Sequence, residues 1–287
     1  YYAAKYQSFT RAADILMSSQ PNVTRAMNTL EHELNCRLFL RSNRGVALTP
    51  EGEKLFAHVQ IAQEQLQAGE LELAGTRSLQ SGYVSLGISE AALHGTLLPV
   101  LREFHLTYPG VHIRIMNHST PQAVEAIKNG IVELAITTTP TGISRPLSET
   151  LLKEFQDILI AGPHFSALQG TTIHLEELRA YPLVCLGPHT KTYSFYDHWF
   201  AEHGQILQPD IEVATTDQIL PMVKHDLGIG FLPEYFARDA IADGKVFPIQ
   251  LAEPFPARHI CLLKDKSRSL SIAARKLEEM LWNAAEV

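Results

Sequence analysis

The sequence holds only three cysteines in 287 residues, Cys36, Cys185 and Cys261. They are far apart and odd in number, so they suggest neither a disulfide framework nor a paired metal or redox motif, and they suit a reducing cytosol. No apolar stretch approaches the ~18 residues of a membrane helix, and no signal peptide is visible. These absences predict a cytoplasmic protein with no membrane partner. Catalytic signatures are missing too: there is no Gly-x-Ser-x-Gly elbow, phosphate loop or dinucleotide fingerprint. The thirteen histidines are scattered. Asp197-His198 with His203 is the closest group, and it lacks the i, i+4 histidine pair of a helical zinc site. The expectation is a protein that is not an enzyme, with no catalytic residue, no metal and no cofactor.

Net positive charge is lacking as well. The formal balance is -7, which argues against a whole-chain nucleic-acid coat. The charge is uneven, however. Residues 1–60 carry seven Lys/Arg (Lys5, Arg11, Arg25, Arg37, Arg41, Arg44, Lys54) against five acids (Asp14, Glu31, Glu33, Glu51, Glu53), leaving -9 for the remainder. A DNA reader at the front of an acidic body has this distribution. The length exceeds what one hydrophobic core supports, so two or three domains are expected. The chain opens at Tyr1 without a Met, which predicts a natural start further upstream.

In the first sixty residues, Ser8-Phe9-Thr10-Arg11-Ala12-Ala13-Asp14-Ile15-Leu16 reads as a short helix capped by Ser8. After Met17-Ser18, Ser19 can cap a second helix, and Pro21 is tolerated in its first turn, where no backbone donor is needed. Val23, Met27, Leu30 and Leu34 recur at spacings of 4, 3 and 4 and predict its buried stripe. Gln20, Asn22, Thr24, Arg25, Asn28 and Thr29 mark a polar face. Two helices joined by a tight turn, the second with a polar N-terminal face, form a helix-turn-helix whose second helix enters the major groove. Asn35 is a candidate left-handed C-cap. Arg37-Leu38-Phe39 and Val46-Ala47-Leu48 are short strand candidates around the basic turn Arg41-Ser42-Asn43-Arg44-Gly45, a wing that can place arginine on the DNA backbone or in the minor groove. The alternative reading of this segment is a protein-docking trihelix with solvated polar residues.

Ser8-Phe9-Thr10-x-Ala12-Ala13, Ser19-Gln20-Pro21-x-Val23-Thr24-Arg25, Leu30-Glu31-x-Glu33-Leu34-Asn35-Cys36-Arg37-Leu38-Phe39-x-Arg41 and Arg44-Gly45-Val46-x-Leu48-Thr49-x-x-Gly52 resemble, without a break, the LysR-type transcriptional regulators. The sequence departs from that pattern at Asn35, where the family usually has Gly, and at Asn22, where a small residue is common. The second departure bears on which operator is read. The resemblance implies a DNA-binding set of Ser19, Gln20, Pro21, Asn22, Thr24, Arg25, Asn28, Arg41 and Arg44.

Thr49-Pro50-Glu51 starts the next helix with a cap, a proline at the first position and an acid in the first turn. Leu55, Val59, Ala62, Leu66, Gly69 and Leu73 follow at alternating spacings of 4 and 3, a heptad seam that suits a partner helix from a second subunit. Packing of this helix on its own wing is the alternative. The resemblance implies dimerisation through this linker helix, assembly to a tetramer, and contact with RNA polymerase at the promoter.

From Gly82 strands and helices alternate. The expected strands are 84–88, 111–115, 134–136, 158–160, 183–186, 211–213, 229–232 and 260–263. The expected helices are 96–105, one through Val124 and Ile127, 175–178, 193–203, 218–224 and 270–282. Such alternation predicts α/β lobes with largely parallel sheets, the last strand and helix returning to the first lobe. Leu97-Leu98-Pro99, Phe104-x-x-x-Tyr108-Pro109, Gly130-x-x-Glu133-Leu134-Ala135-Ile136 and Gly228-Ile229-Gly230-Phe231-Leu232-Pro233 resemble the LysR-type effector domain, a relative of periplasmic binding proteins. The predicted fold class is therefore α+β multidomain: a winged helix-turn-helix (1–57), a linker helix (58–80), and a two-lobed α/β periplasmic-binding-protein-like effector domain, with lobe I at 81–160 and 255–287 and lobe II at 161–254.

Ligands of open α/β sheets lie beyond the carboxyl ends of strands. Those ends carry Ser89, Glu90, Ser119, Thr120 and Thr138 in lobe I, and Thr190, Lys191, Thr216 and Phe231 in lobe II. Hydroxyls and helix N-termini there favour a polar or anionic small-molecule effector, a carboxylate for instance; the alternative is that these hydroxyls only cap helices. Thr120 matches a position the family uses for effector contact. A solute-binding receptor would need a signal peptide and no winged helix, and an enzyme on this fold would need a convergent catalytic set. The sequence shows neither.

Overall fold

The computed structural model describes residues 1–42, 45–74, 79 and 82–285. It divides into two compact units, 1–74 and 75–287.

In the first unit, α1 (Tyr2–Lys5), α2 (Phe9–Ile15) and α3 (Gln20–Glu33) precede a two-stranded antiparallel hairpin of β1 (Phe39–Ser42) and β2 (Gly45–Leu48), and α4 (Pro50–Ala74) follows. The Ser8 side chain accepts the Arg11 N–H at 3.2 Å and starts α2. That helix ends through Met17, whose φ is +48°. The Met17 and Ser18 N–H groups bond back to the Asp14 and Ala13 carbonyls, closing the tight turn before α3. Asn35, at φ +51°, ends α3 in the same way, with Asn35 and Cys36 donating to the His32 and Glu31 carbonyls; this is the left-handed cap the sequence predicts. Phe9, Ala12, Ala13, Val23, Leu38 and Phe39 form the core, with Met27, Leu30 and Leu55 packed against it. Two expectations fail locally. Ser19 occupies the N-cap position of α3 without a side-chain bond. Leu34 lies beyond the last helical turn and is 46% exposed, so the stripe ends at Leu30.

Glu31 ties α3 to the hairpin. It is 6% exposed, and one carboxylate oxygen accepts the Leu38 and Phe39 N–H groups at 2.8 and 3.0 Å. Those bonds fix the backbone entering β1, which begins two residues later than the predicted strand. Thr49 then donates to the Arg37 carbonyl at 2.6 Å and accepts from the Gly52 N–H at 3.0 Å. Gly52 is required there, because a Cβ would lie 2.2 Å from the Leu38 carbonyl oxygen. Residues 75–78 and 80 of the expected linker (58–80) lie outside the described residues; as far as residue 74, that linker is the distal part of one helix that begins at Pro50. Along it Leu55 packs on the unit's own core, while Leu66 is 65% exposed.

The second unit holds two mixed sheets. The first lobe runs β3 (Gly82–Ile88), α5 (Glu90–Ala92), a π-helical turn (Leu93–Leu97), α6 (Leu98–Thr107), β4 (Val111–Asn117), α7 (Thr120–Lys128), β5 (Leu134–Thr138) and β6 (Leu147–Phe155). The second runs β7 (Asp157–Ala161), β8 (Thr172–Ile173), β9 (Leu183–Leu186), α8 (Lys191–Glu202), β10 (Ile211–Val213), α9 (Ile219–Lys224), β11 (Ile229–Pro233), α10 (Glu234–Ala242) and β12 (Phe247–Leu251). The chain then returns through β13 (Arg258–Asp265) and α11 (Ile272–Ala285). Strand orders are β4-β3-β5-β13-β6 and β10-β9-β11-β7-β12-β8. Apolar residues of β3, β5 and β13 pack against α6 and α11 on one face, and α7 covers the other. Tyr196, Trp199 and Phe200 of α8 cover one face of the second sheet, and α9 and α10 the opposite face.

The sheets correct the expectation of largely parallel pairing. β13 runs antiparallel to β5 and β6, and β7 runs antiparallel to β11 and β12. The reason lies in β7 and β13, on which the chain passes from one sheet to the other: each joins its new sheet without a crossover helix and pairs antiparallel there. The periodicity also did not reveal β6, β8 and β12. The expected lobe I boundary at 160 is also corrected, since residues 157–161 pair with β11 and β12 of the second sheet. Residues 175–178 fall in a 3₁₀ rather than an α-helix. Among the described residues no helix is long and apolar enough to cross a membrane.

Candidate nucleic-acid interface and ligand cleft

On α3, Ser19, Gln20, Pro21, Asn22, Arg25 and Asn28 are exposed and Thr24 is half-buried. Val23 faces the core at 6% exposure, which fixes the helix rotation and turns Asn22 and Arg25 outward. Gln20 donates to the Thr24 hydroxyl at 3.0 Å. Arg41, exposed on β1, donates to Asn28 Oδ1, and its guanidinium lies 5.1 Å from the Phe9 ring centre. Asn28 and Arg41 therefore form one tethered pair, while Arg25 makes no ion pair among the described residues. Arg44, with Asn43, lies outside the described residues.

Glu31 holds this arrangement electrostatically. Burial pushes its carboxyl pKa up, but the Leu38 and Phe39 N–H bonds and the nearby Arg37 and Arg41 charges outweigh that and leave it below the ordinary glutamate value. Its second oxygen lies 3.5 Å from Arg37.

In the second unit, all nine residues chosen from the sequence for effector contact, Ser89, Glu90, Ser119, Thr120, Thr138, Thr190, Lys191, Thr216 and Phe231, line one cavity of about 210 Å³ between the two sheets. Their chemistry differs. Ser89 caps α5 by accepting the Ala92 N–H. Ser119 caps α7, its hydroxyl donating to Gln122 Oε1 at 3.0 Å. Thr190 caps α8, accepting from the Tyr193 N–H and donating to the Gly187 carbonyl. Thr120 is 6% exposed and donates weakly, at 3.5 Å, to the Thr138 carbonyl. Glu90 accepts from Asn117 Nδ2 at 2.7 Å and faces His94 at 3.6 Å. Lys191 has no carboxylate within ion-pair distance among the described residues. Phe231 is an apolar wall, 1% exposed and stacked on Phe255 at 5.3 Å.

Sequence reasoning missed the floor of this cavity. Arg258, 2% exposed, opens β13. Its Nε donates to the Thr139 carbonyl, Nη1 to Asp157 Oδ2, and Nη2 to both the Thr138 and Thr192 hydroxyls, each at 2.9 Å. Asp157 also accepts the Tyr196 hydroxyl at 3.0 Å. Burial, with the adjacent Asp157 charge, pushes the Tyr196 phenol well above its ordinary value, so it stays a neutral donor. A buried arginine among Phe and Thr gives no periodic signal, and only its partners from two sheets reveal its role. His118 was missed too. It lines the cavity, its Nδ1 is buried without a partner, and burial lowers its pKa, favouring neutral imidazole.

With this geometry in place, two family models account for nearly the whole chain. "Bacterial regulatory helix-turn-helix protein, lysR family" matches residues 2–53, and "LysR substrate binding domain" matches residues 77–286. The chain belongs to the LysR family. It is similar to the HTH-type transcriptional regulator YwbI of Bacillus subtilis, 28% identical over 95% of this chain and 90% of that one. It is also similar to BbuR of Bordetella bronchiseptica, 29% identical over 85% of this chain and 75% of that one. Among solved structures, the LysR family regulator CbnR shares the fold with a TM-score of 0.72 at 19% identity, covering 99% of this chain and 96% of the other. A further structure, of CbnR complexed with its target DNA, gives 0.73 at 17% identity, over the same shares of the two chains. This LysR-type chain is a DNA-binding transcription regulator with an effector-binding domain, and the relatives named are regulators, not enzymes.

Proposed function

We propose that this LysR-type regulator reads operator DNA with α3 and the wing, and that a polar or anionic small molecule in the cleft between the lobes changes operator binding or DNA bending. The observation that carries the reading is that one cavity gathers all nine residues selected from strand ends. Ligands of such sheets sit there, and hydroxyls, two helix N-termini of α7 and α8, and Lys191 suit an anion. Ser19, Gln20, Pro21, Asn22, Thr24 and Arg25 are assigned to base edges or backbone, and Asn28, Arg41 and Arg44 to the flanking phosphates. The exposed Leu66 on α4 supports dimerisation through that helix, in a cytoplasmic protein that assembles to a tetramer and meets RNA polymerase at the promoter. We assign residues 1–57 to the reader and 58–80 to the linker, with the hinge between lobes near 156 and 252–257. A nuclease-protection footprint upstream of the protein's own gene, with and without small carboxylates, tests the reading. The expected result is a protected site whose pattern changes with one of the carboxylates; protection that no small molecule alters contradicts it.

A further inference from the structure

We propose that Arg258 turns Thr138 and Thr192, one from each lobe, into a paired hydrogen-bond donor for a single carboxylate oxygen of the cleft ligand. This rests on the cleft being the sensor. The argument begins with proton counting. A guanidinium has five N–H donors and no acceptor, and a hydroxyl has one proton and two lone pairs. Arg258 Nη2 donates at 2.9 Å to both threonine hydroxyls, so each oxygen spends a lone pair on arginine and keeps its own proton. Among the described residues neither proton has an acceptor, and both threonines line the cavity. Of the other cleft hydroxyls, Ser119 and Thr190 spend their protons on Gln122 Oε1 and the Gly187 carbonyl, while Ser89 accepts the Ala92 N–H without being joined, among the described residues, to a second hydroxyl.

The geometry is held firmly. Thr138 ends β5 of the first lobe and Thr192 lies in the first turn of α8 of the second. The guanidinium cannot swing away, because Nε and Nη1 are bound to Thr139 and Asp157, and Phe155 and Phe195 lie 5.3 and 5.1 Å from its centre. Two hydroxyls bonded to one nitrogen are close enough together for one oxygen to accept from both. Asp157 neutralises the arginine, and Lys191, next to Thr192, supplies charge for an anion. A neutral amide oxygen accepts more weakly, so the pair selects carboxylates over amides. Because the donors come from opposite lobes, a bound carboxylate also holds the lobes at one angle, which gives the ligand a preferred arrangement to stabilise.

The test is calorimetric titration of the full chain with benzoate and succinate and with their neutral counterparts benzamide and succinamide. Wild type, Thr138→Val, Thr192→Val and Thr192→Ser are compared, with thermal unfolding as the fold control. Wild type is expected to bind at least one carboxylate in preference to its amide. Either valine variant is expected to lose about tenfold or more in carboxylate affinity while amide affinity moves less, and Thr192→Ser is expected to restore the preference. A general loss of packing would lower carboxylate and amide together, and that outcome overturns the clamp. So does an unchanged preference in both valine variants, or a wild type that binds amide as well as carboxylate; in both cases the cleft still binds and the sensor reading stands. Failure of every probe to bind overturns the clamp and the sensor reading together.

Discussion

Replacing Glu31 by alanine removes the one acceptor that the Leu38 and Phe39 N–H groups share. Both residues are buried, at 3% and 7% exposure, so neither donor finds water as a substitute. An unpaired buried donor costs about 1–3 kcal/mol. With two donors affected and some relaxation of the hairpin, the expected loss is about 2–4 kcal/mol from the first unit. The effect also has a pH signature. The folded carboxyl pKa lies below the ordinary value, while the unfolded chain titrates near ~4.3. The stabilisation is therefore fully present above the unfolded value and is lost as pH falls through the folded one. Glu31→Gln keeps an acceptor oxygen but has no charge to titrate, so it should cost less at neutral pH and lack that acid dependence. Both tryptophans, Trp199 and Trp282, lie in the second unit, so their fluorescence is blind to this change. Hydrogen exchange of the 36–42 segment in the full chain reads it directly. Wild-type protection at Leu38 and Phe39 in Glu31→Ala would refute the anchoring role.

Other perturbations separate the parts of the molecule. Arg25→Ala should weaken binding to the footprinted operator by about 1–3 kcal/mol in an anisotropy titration, and unchanged affinity would remove Arg25 from the reading face. Met17 is 98% exposed at φ +48°, so it strains the turn and packs on nothing; Met17→Gly should raise the first unit's stability by up to about 1 kcal/mol, and a fall in its denaturation midpoint would contradict that. Leu66→Glu should shift the sedimentation of the full chain toward smaller species if α4 pairs with a partner helix; an unchanged distribution would place the interface elsewhere.

What was legible in the sequence followed what leaves a local pattern. The Ser8 cap, the turn at Asn35 and the start of α4 at Pro50 each rest on one or two residues with special backbone or capping chemistry, and each stands where those residues predict it. Strands β9 and β10 match residue for residue, because apolar runs bounded by turn signals mark central strands. β6 was invisible because 147–155, Leu-Ser-Glu-Thr-Leu-Leu-Lys-Glu-Phe, alternates poorly; it is an edge strand with its outer face in water. β12 carries Pro248, which argues against a strand unless the proline's missing donor falls at an unpaired position. The exposed polar face of α3 was legible from the rotation that Val23 imposes. The cleft walls were legible too, because strand ends can be read from strand predictions. Its floor was not. Arg258, Asp157, Thr192 and Tyr196 are separated by up to 101 residues, and only the two chain crossings between lobes bring them together. Leu34 was misread for a related reason: a periodic stripe does not show where the helix stops.

The most direct test of the account is the affinity of the full-length protein for its footprinted operator, measured with and without a saturating concentration of a carboxylate that calorimetry shows to bind the cleft. Linkage requires the ligand to alter DNA binding if it favours one arrangement of the protein over another, and couplings of about 1–3 kcal/mol are typical. The account predicts a change of about 5- to 150-fold in operator affinity, or an altered DNA bend at constant affinity, and the same factor in ligand affinity when operator is bound. Operator affinity and bending that both stay fixed while the cleft is saturated would contradict it.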